Sequence, residues 1–277
     1  MQDIETLGRK MIARKVTPKV DPKVIKKPAK KSGKKSLKPS AKNLKKARPN
    51  TRAALATPMI VTIDGPAASG KTSVSRELAR LLEWKWVSTG AFYRGLALAA
   101  LSEGVDSKNE KAIVKLAKSK IWRVEMQAEQ TKVFLRDQDV TARINEESVG
   151  TAASQISQFP LVRAELLPLQ RNCLKGIKGG LIAEGRDCGT VVFPKAPIKI
   201  YLTARSDDRA QRRAKEQGAT ISQIKKDQSR RDKRDSQRAT APLQVSSEAK
   251  VVDTSDLSFD EVVGTLHKWV IRHSRRS

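Results

Sequence analysis

Eight consecutive residues, Gly65-Pro66-Ala67-Ala68-Ser69-Gly70-Lys71-Thr72, fit the pattern G-x-x-x-x-G-K-[ST], in which a chain wraps its own N–H groups around phosphate oxygens. The glycines permit the tight wrap, and the N–H groups of Ala68 to Thr72 point at the anion, with Ser73 at the exit of the loop. The dipole of a following helix favours negative charge at the same place. Lys71 is then within reach of the β and γ phosphates of ATP, and the Thr72 hydroxyl is a ligand for Mg2+. An ordinary glycine-rich turn between strand and helix is the plain alternative.

Such a loop works only between a strand and a helix, and the flanking residues supply both. Met59 to Asp64 (MIVTID) is a short apolar run ending in Gly-Pro, which predicts a buried strand. In Ser73 to Glu83 the apolar residues Val74, Leu78, Leu81 and Leu82 recur at i, i+4, i+7 and i+8, one face of a helix packed on a sheet. Further along, Ser107 with Glu110 predicts a capping box ahead of Ile113 and Leu116. Alternation between Ile121 and Val140 predicts a small antiparallel insert. WKWV before Ser88, Leu181 to Glu184, Ile198 to Leu202 and, more weakly, Lys250 to Val252 read as further strands, and Ser258 with Glu261 caps a last helix. Apolar strands alternating with helices make an α/β domain: a three-layer α/β/α P-loop fold with a covered parallel sheet.

The 277 residues carry 56 Lys or Arg against 29 Asp or Glu, a net charge of +27. Residues 1–57 hold 18 basic and 3 acidic side chains, a net of +15, without one aromatic. With six prolines before residue 60 as well, this segment has too little apolar area to offset chain entropy, and we expect a disordered Lys-rich tail followed by one folded domain over 58–277. The tail is either a solvated arm or a weak, non-specific binder of nucleic acid through counterion release. A start at Met59, which opens the first strand, is a third reading. No apolar stretch approaches the roughly 18 residues of a membrane span. Cys173 and Cys188 with His267 and His273 make neither a disulfide framework nor a zinc site of ordinary spacing, which fits a reducing cytoplasm.

A P-loop alone does not separate motors, GTPases, helicases and small-molecule kinases. The domain is short, has no apolar run ending in Asp-Glu and no Asn-Lys-x-Asp stretch, so small kinases lead. Transfer onto a phosphate brings two anions together and needs a second, cationic pocket. Four segments supply its elements: Ser88-Thr89-Gly90-Ala91-Phe92-Tyr93-Arg94; Ala152-Ala153-Ser154-Gln155 with Phe159-Pro160 and Arg163; Glu184-Gly185-Arg186-Asp187-Cys188-Gly189-Thr190; and Arg230 to Asp235 leading to Arg238-Ala239-Thr240-Ala241-Pro242-Leu243. Singly, each has a bland reading: Tyr93 in the core, Arg94 on the surface, the Arg-Asp run as ion pairs on a solvated helix.

Taken in this order, the segments resemble bacterial cytidylate kinase, the CMP kinase of the nucleoside monophosphate kinase group, from Met59 to the C-terminus. We expect a monomer, an oligomeric state that the sequence leaves open, and the resemblance implies ATP-dependent phosphorylation of CMP, with dCMP as a further acceptor. It implies that Thr89, Tyr93 and Arg94 hold the acceptor nucleotide, that Ser154, Arg163 and Asp187 read cytosine, that Arg186 and Arg238 face the acceptor phosphate, and that Arg231 and Asp235 face the ribose. A carboxylate or hydroxyl suits the amino group of cytosine, and a guanidinium suits its N3 and O2 acceptors. Ser88 departs from the family, which usually has Asp there. By the same resemblance the insert at about 116–150 binds the acceptor and the region at about 205–238 is a lid, with Arg205 to Arg213 and Gly218 as its Arg-rich part. The acceptor phosphate has a second pKa of about 6 and is already a nucleophile, so no general base is required, and catalysis falls to Lys71, Arg186, Arg238 and Mg2+. Another small-molecule P-loop kinase, or a nucleic-acid-binding P-loop ATPase using the tail, are the alternatives.

Overall fold

The computed structural model describes residues 58–127, 130–218 and 220–274. The tail at 1–57, and with it the expectation of disorder there, lies outside the described residues. In chain order the elements are β1 (Met59–Asp64), α1 (Lys71–Leu82), β2 (Lys85–Ser88), α2 (Gly90–Ser102), α3 (Glu110–Ala117), β3 (Trp122–Met126), β4 (Thr131–Leu135), β5 (Gln138–Asp139), a short 3-10 turn, α4 (Glu147–Ile156), α5 (Pro160–Asn172), β6 (Gly180–Gly185), a π-helical turn (Cys188–Val192), β7 (Ile198–Thr203), α6 (Ser206–Gln217), α7 (Ile221–Gln237), β8 (Lys250–Asp253) and α8 (Phe259–Ser274).

Five strands form one sheet in the order β2-β6-β1-β7-β8, and all four pairings are parallel. The central strands are short and apolar because both faces are covered. On one face, Val74, Leu78 and Leu82 of α1 and Val262, Leu266 and Val270 of α8 pack on Val61, Ile63, Ile182 and Ile200. On the other, Leu181 and Ala183 meet the layer built from α2, α4 and α5, with Leu96, Val149, Ile156 and Leu166 at its centre. Leu181, Ile182 and Ala183 thus alternate between two cores, as the two-residue period of a strand demands. Each fully buried Leu or Ile contributes roughly 1.5–3 kcal/mol.

The insert is antiparallel as expected, in the order β3-β4-β5. It has no separate core: Trp122, Val133 and Leu135 belong to the same cluster as Leu96 of α2, and the Trp122 indole donates to the Leu116 carbonyl at 3.1 Å. The Ser258–Glu261 box forms, with Ser258 N–H on Glu261 Oε2 at 2.8 Å and Glu261 N–H on Ser258 Oγ at 3.3 Å. The Ser107–Glu110 box does not. Asn109 caps α3 instead, accepting from the Ala112 N–H at 3.1 Å, because Ser107 is two residues further back and its hydroxyl donates to Gln155 Oε1 at 2.8 Å. Helices α6 and α7 form a hairpin with a small core of Ala210, Ala214 and Ile224. Among the described residues no helix is long and apolar enough to cross a membrane.

Candidate active site

The phosphate loop leaves the C-terminal end of β1, flanked by β6 and β7, where open α/β sheets bind ligands. Gly65 has φ 149°, and a Cβ there would stand 2.0 Å from the Leu202 carbonyl oxygen, so the turn accepts only glycine. Gly70 precedes the first turn of α1 with no side-chain cap, which leaves the free N–H groups of that turn facing the loop. Ala67 to Ser73 line a cleft of about 520 Å3, while Gly65 and Pro66 lie beneath it. The Lys71 ammonium is buried and donates to the Pro66 carbonyl at 2.7 Å. Burial, and next the charge of Arg186, push its pKa down to about 7. Thr72 Oγ1 donates to both carboxylate oxygens of Glu184, at 3.0 Å each.

Thr89, Tyr93, Arg94, Ser154, Arg186, Asp187, Arg231, Asp235 and Arg238 all line the same cleft as the loop. They come from α2, α4, the end of β6 and α7, so four segments spread over 150 residues converge as expected. Arg163 does not line the cleft. It stands behind Asp187, ion-paired to it with both side chains 7% exposed, and its guanidinium lies 5.4 Å from the Tyr93 ring. Thr89 spends its hydroxyl on the Glu184 carbonyl at 2.9 Å. Arg234 Nη1 donates to Ser154 Oγ at 3.1 Å, and Arg186 Nε donates to Asp235 Oδ2 at 2.9 Å. Burial raises the Tyr93 phenol to about 12, so it stays protonated.

The electrostatics of this group of residues are those of an anion site. Burial, followed by Arg231, Arg213 and Arg186, lowers the Arg94 pKa to about 10; burial and then Arg163 also lower Arg238. Arg238 Nη2 is buried without a hydrogen-bond partner among the described residues, 3.7 Å from Asp187 Oδ1. Guanidinium groups crowded to this degree repel one another unless an anion lies among them.

Several residues escaped the sequence reading. Glu184 carries no role in the acceptor segment as the sequence presents it; its signal is a carboxylate near the end of an otherwise apolar strand. Arg213 lines the cleft and pairs with Glu147 at 3.3 Å, and Arg231, which also lines it, pairs with the same carboxylate. The other arginines of the expected lid point elsewhere. Arg209 is buried and donates to the Ala67 carbonyl at 3.1 Å and to Asp232 at 2.7 Å. Arg212 holds Thr254, and Arg205 pairs with Asp208 and Asp256. Ser88 faces the cleft beside Glu184, its register partner on β6; nothing in the structure explains its replacement of an acid.

Comparison with known proteins points to one family. The family model for cytidylate kinase matches residues 61–272. A cytidylate kinase of Bdellovibrio bacteriovorus is 54% identical over 212 residues, covering 76% of this chain and 97% of that protein. One of Azotobacter vinelandii is 44% identical over 215 residues, covering 74% and 92%. One of Mycobacterium leprae is 42% identical over 223 residues, covering 79% and 98%.

Proposed function

The chain belongs to the cytidylate kinase family, and from that premise we propose how its cleft divides the work of moving the γ-phosphoryl group of ATP onto CMP, giving CDP and ADP. The other small-molecule kinases and the nucleic-acid-dependent ATPase are not favoured. One observation carries the reading: the crowded guanidinium groups around Arg94 line the same cleft as a phosphate loop. A cationic cluster in one cleft with a polyphosphate cradle is what two approaching anions require.

The loop N–H groups and Lys71 hold the β and γ phosphates of ATP. Arg94, Arg186 and Arg238 hold the acceptor phosphate, with Arg238 Nη2 contributing a buried donor that has no other hydrogen bond. Arg231 and Asp235 take the ribose. Ser154, Asp187 and Arg163 read cytosine, with Arg163 acting in part by fixing the Asp187 carboxylate. Tyr93 lies against the base, and Thr89 braces the turn into α2. Catalysis is in-line positioning with charge neutralisation by Lys71 and the arginines, and no side chain need remove a proton because the acceptor is already anionic.

The Thr72 hydroxyl and the buried Glu184 carboxylate offer adjacent hard oxygens at the lip of the loop, a donor set that fits Mg2+. Bound there, the metal would neutralise charge between the β and γ phosphates. The basic segment 1–57 adds a weak, sequence-independent affinity for polyanions. A coupled ADP-release assay over CMP, dCMP, UMP, AMP, GMP and a no-acceptor control tests the assignment. Turnover is expected with CMP and dCMP; activity on AMP with none on CMP would overturn it, and hydrolysis without acceptor would indicate an ATPase.

A further inference from the structure

The π-helical turn Cys188–Val192 starts directly after Asp187, which occupies the position of its N-cap. An Asp at such a place ordinarily turns its carboxylate onto the first free N–H groups of its own turn. Asp187 makes no such bond. Its carboxylate faces the cleft, ion-paired with Arg163 and 3.7 Å from Arg238.

The free N–H groups are taken by a residue 124 positions upstream. Asp64, the last residue of β1, accepts the Cys188 N–H on Oδ1 at 2.8 Å and the Gly189 N–H on Oδ2 at 2.7 Å. Asp64 is buried and does not line the cleft. Both of its oxygens are engaged by backbone, and because the side chain does not line the cleft it is not placed to act as a base on a substrate. The approach is close: a Cβ on Gly189 would stand 2.8 Å from Thr62 Oγ1 and 3.3 Å from Asp64 Oδ2.

We infer that Asp64 is a positioning residue for acceptor selectivity: it caps the Cys188–Val192 turn from a neighbouring strand and thereby frees Asp187 to read the base. The inference rests on the base-reading role proposed for Asp187. Without Asp64, the two N–H groups would be left without their carboxylate partner, and the acceptor that an N-cap position supplies is the carboxylate of Asp187, with the Thr62 hydroxyl too small to serve both. Its rotation onto its own turn would satisfy the backbone and withdraw it from the cleft and from Arg163. The chemical loss would fall on recognition of the acceptor base, while the phosphate loop, which starts at Gly65, keeps its own N–H geometry.

Asp64→Ala, Asp64→Asn and Asp187→Ala in the full chain test this, with KM and kcat for CMP and UMP, KM for ATP, and Tm measured for each. In Asp64→Ala the preference for CMP over UMP in kcat/KM should fall about tenfold, mainly through the KM for CMP, the effect of leaving a hydrogen-bonding site mispaired. The KM for ATP should change less than the KM for CMP, since the loop keeps its N–H groups and Asp64 acts on Lys71 only through its charge. Asp64→Asn, which keeps one acceptor, should fall between and carries the same comparison if the alanine variant does not fold. An equal loss for CMP and UMP, or a rise in the ATP KM as large as that for CMP, would overturn the inference and leave Asp64 a purely structural residue. If Asp187→Ala loses base preference while both Asp64 variants keep it, Asp64 alone is refuted. If Asp187→Ala keeps the preference, the base-reading role fails and the role of Asp64 with it.

Discussion

Lys71 curls back over the phosphate loop, its ammonium 2.7 Å from the carbonyl oxygen of Pro66. Burial, and next the charge of Arg186, hold the amine at a pKa of about 7 against an ordinary value of 10.5, despite the bond to Pro66, which favours the charged form. The phosphates of ATP favour the charged form, so ATP binding at pH 8 should take up a proton and weaken as pH rises above 7. Calorimetry in two buffers of different ionisation enthalpy measures this directly; a heat independent of buffer would refute it.

The same shift has a sign for stability. Between about pH 7 and 10.5 the folded chain binds fewer protons at Lys71 than the unfolded chain, so the contribution of this residue rises with pH across that window. Lys71→Met removes the cost of burying a cation and should raise Tm at pH 7 by on the order of several degrees. It should also lower kcat by roughly 10²-fold or more, since a charge stabilising the transferred group is gone. Thermal melts and steady-state rates on one preparation check both halves.

Arg163 and Asp187 form a buried ion pair, each 7% exposed. Removing Arg163 leaves Asp187 with only the longer contact to Arg238, so Arg163→Ala should destabilise the fold by up to about 3 kcal/mol and reduce the preference for CMP over UMP. Urea unfolding and the ratio of kcat/KM values report the two effects. A loss of turnover equal for every acceptor would remove Arg163 from base reading.

Thr72 and Glu184 bring a hydroxyl and a carboxylate together from α1 and β6. Glu184→Gln keeps the shape and removes the charge, and should raise the Mg2+ concentration needed to tighten ADP binding by about tenfold, because a neutral amide is a poorer ligand for a hard cation. A fluorescent ADP analogue titrated at several Mg2+ concentrations gives the value without turnover. An unchanged Mg2+ dependence would put the metal elsewhere.

The Lys-rich segment 1–57 holds a net +15, and the described residues that line the cleft begin at Ala67. A chain starting at Met59 should therefore keep its kcat and its KM for CMP. It should lose any affinity for nucleic acid that falls steeply with salt. Binding that persists without the segment would assign it to the arginines of α6 and α7.

By itself the sequence determined what is decided within a few residues or by the order of segments. The loop from Gly65 to Thr72 was legible because its glycines, its lysine and the strand and helix beside it act locally, and the Ser258–Glu261 box closes over three positions. The acceptor residues were legible because four separate segments matched one family in order. Tertiary structure alone decided the rest. Pairing of β1 with β6 brings Asp64 opposite Gly185, near enough for its carboxylate to reach the Cys188 and Gly189 N–H groups. The same strand, β6, carries Glu184 to the Thr72 hydroxyl. It decided that Arg209 is buried against Ala67 while Arg213 reaches the cleft, although both read alike as charges on one helix. A hydrogen bond or an ion pair depends on a few ångströms of separation, and for residues more than a hundred positions apart that separation is fixed by strand order and packing, which leave no mark in the local pattern.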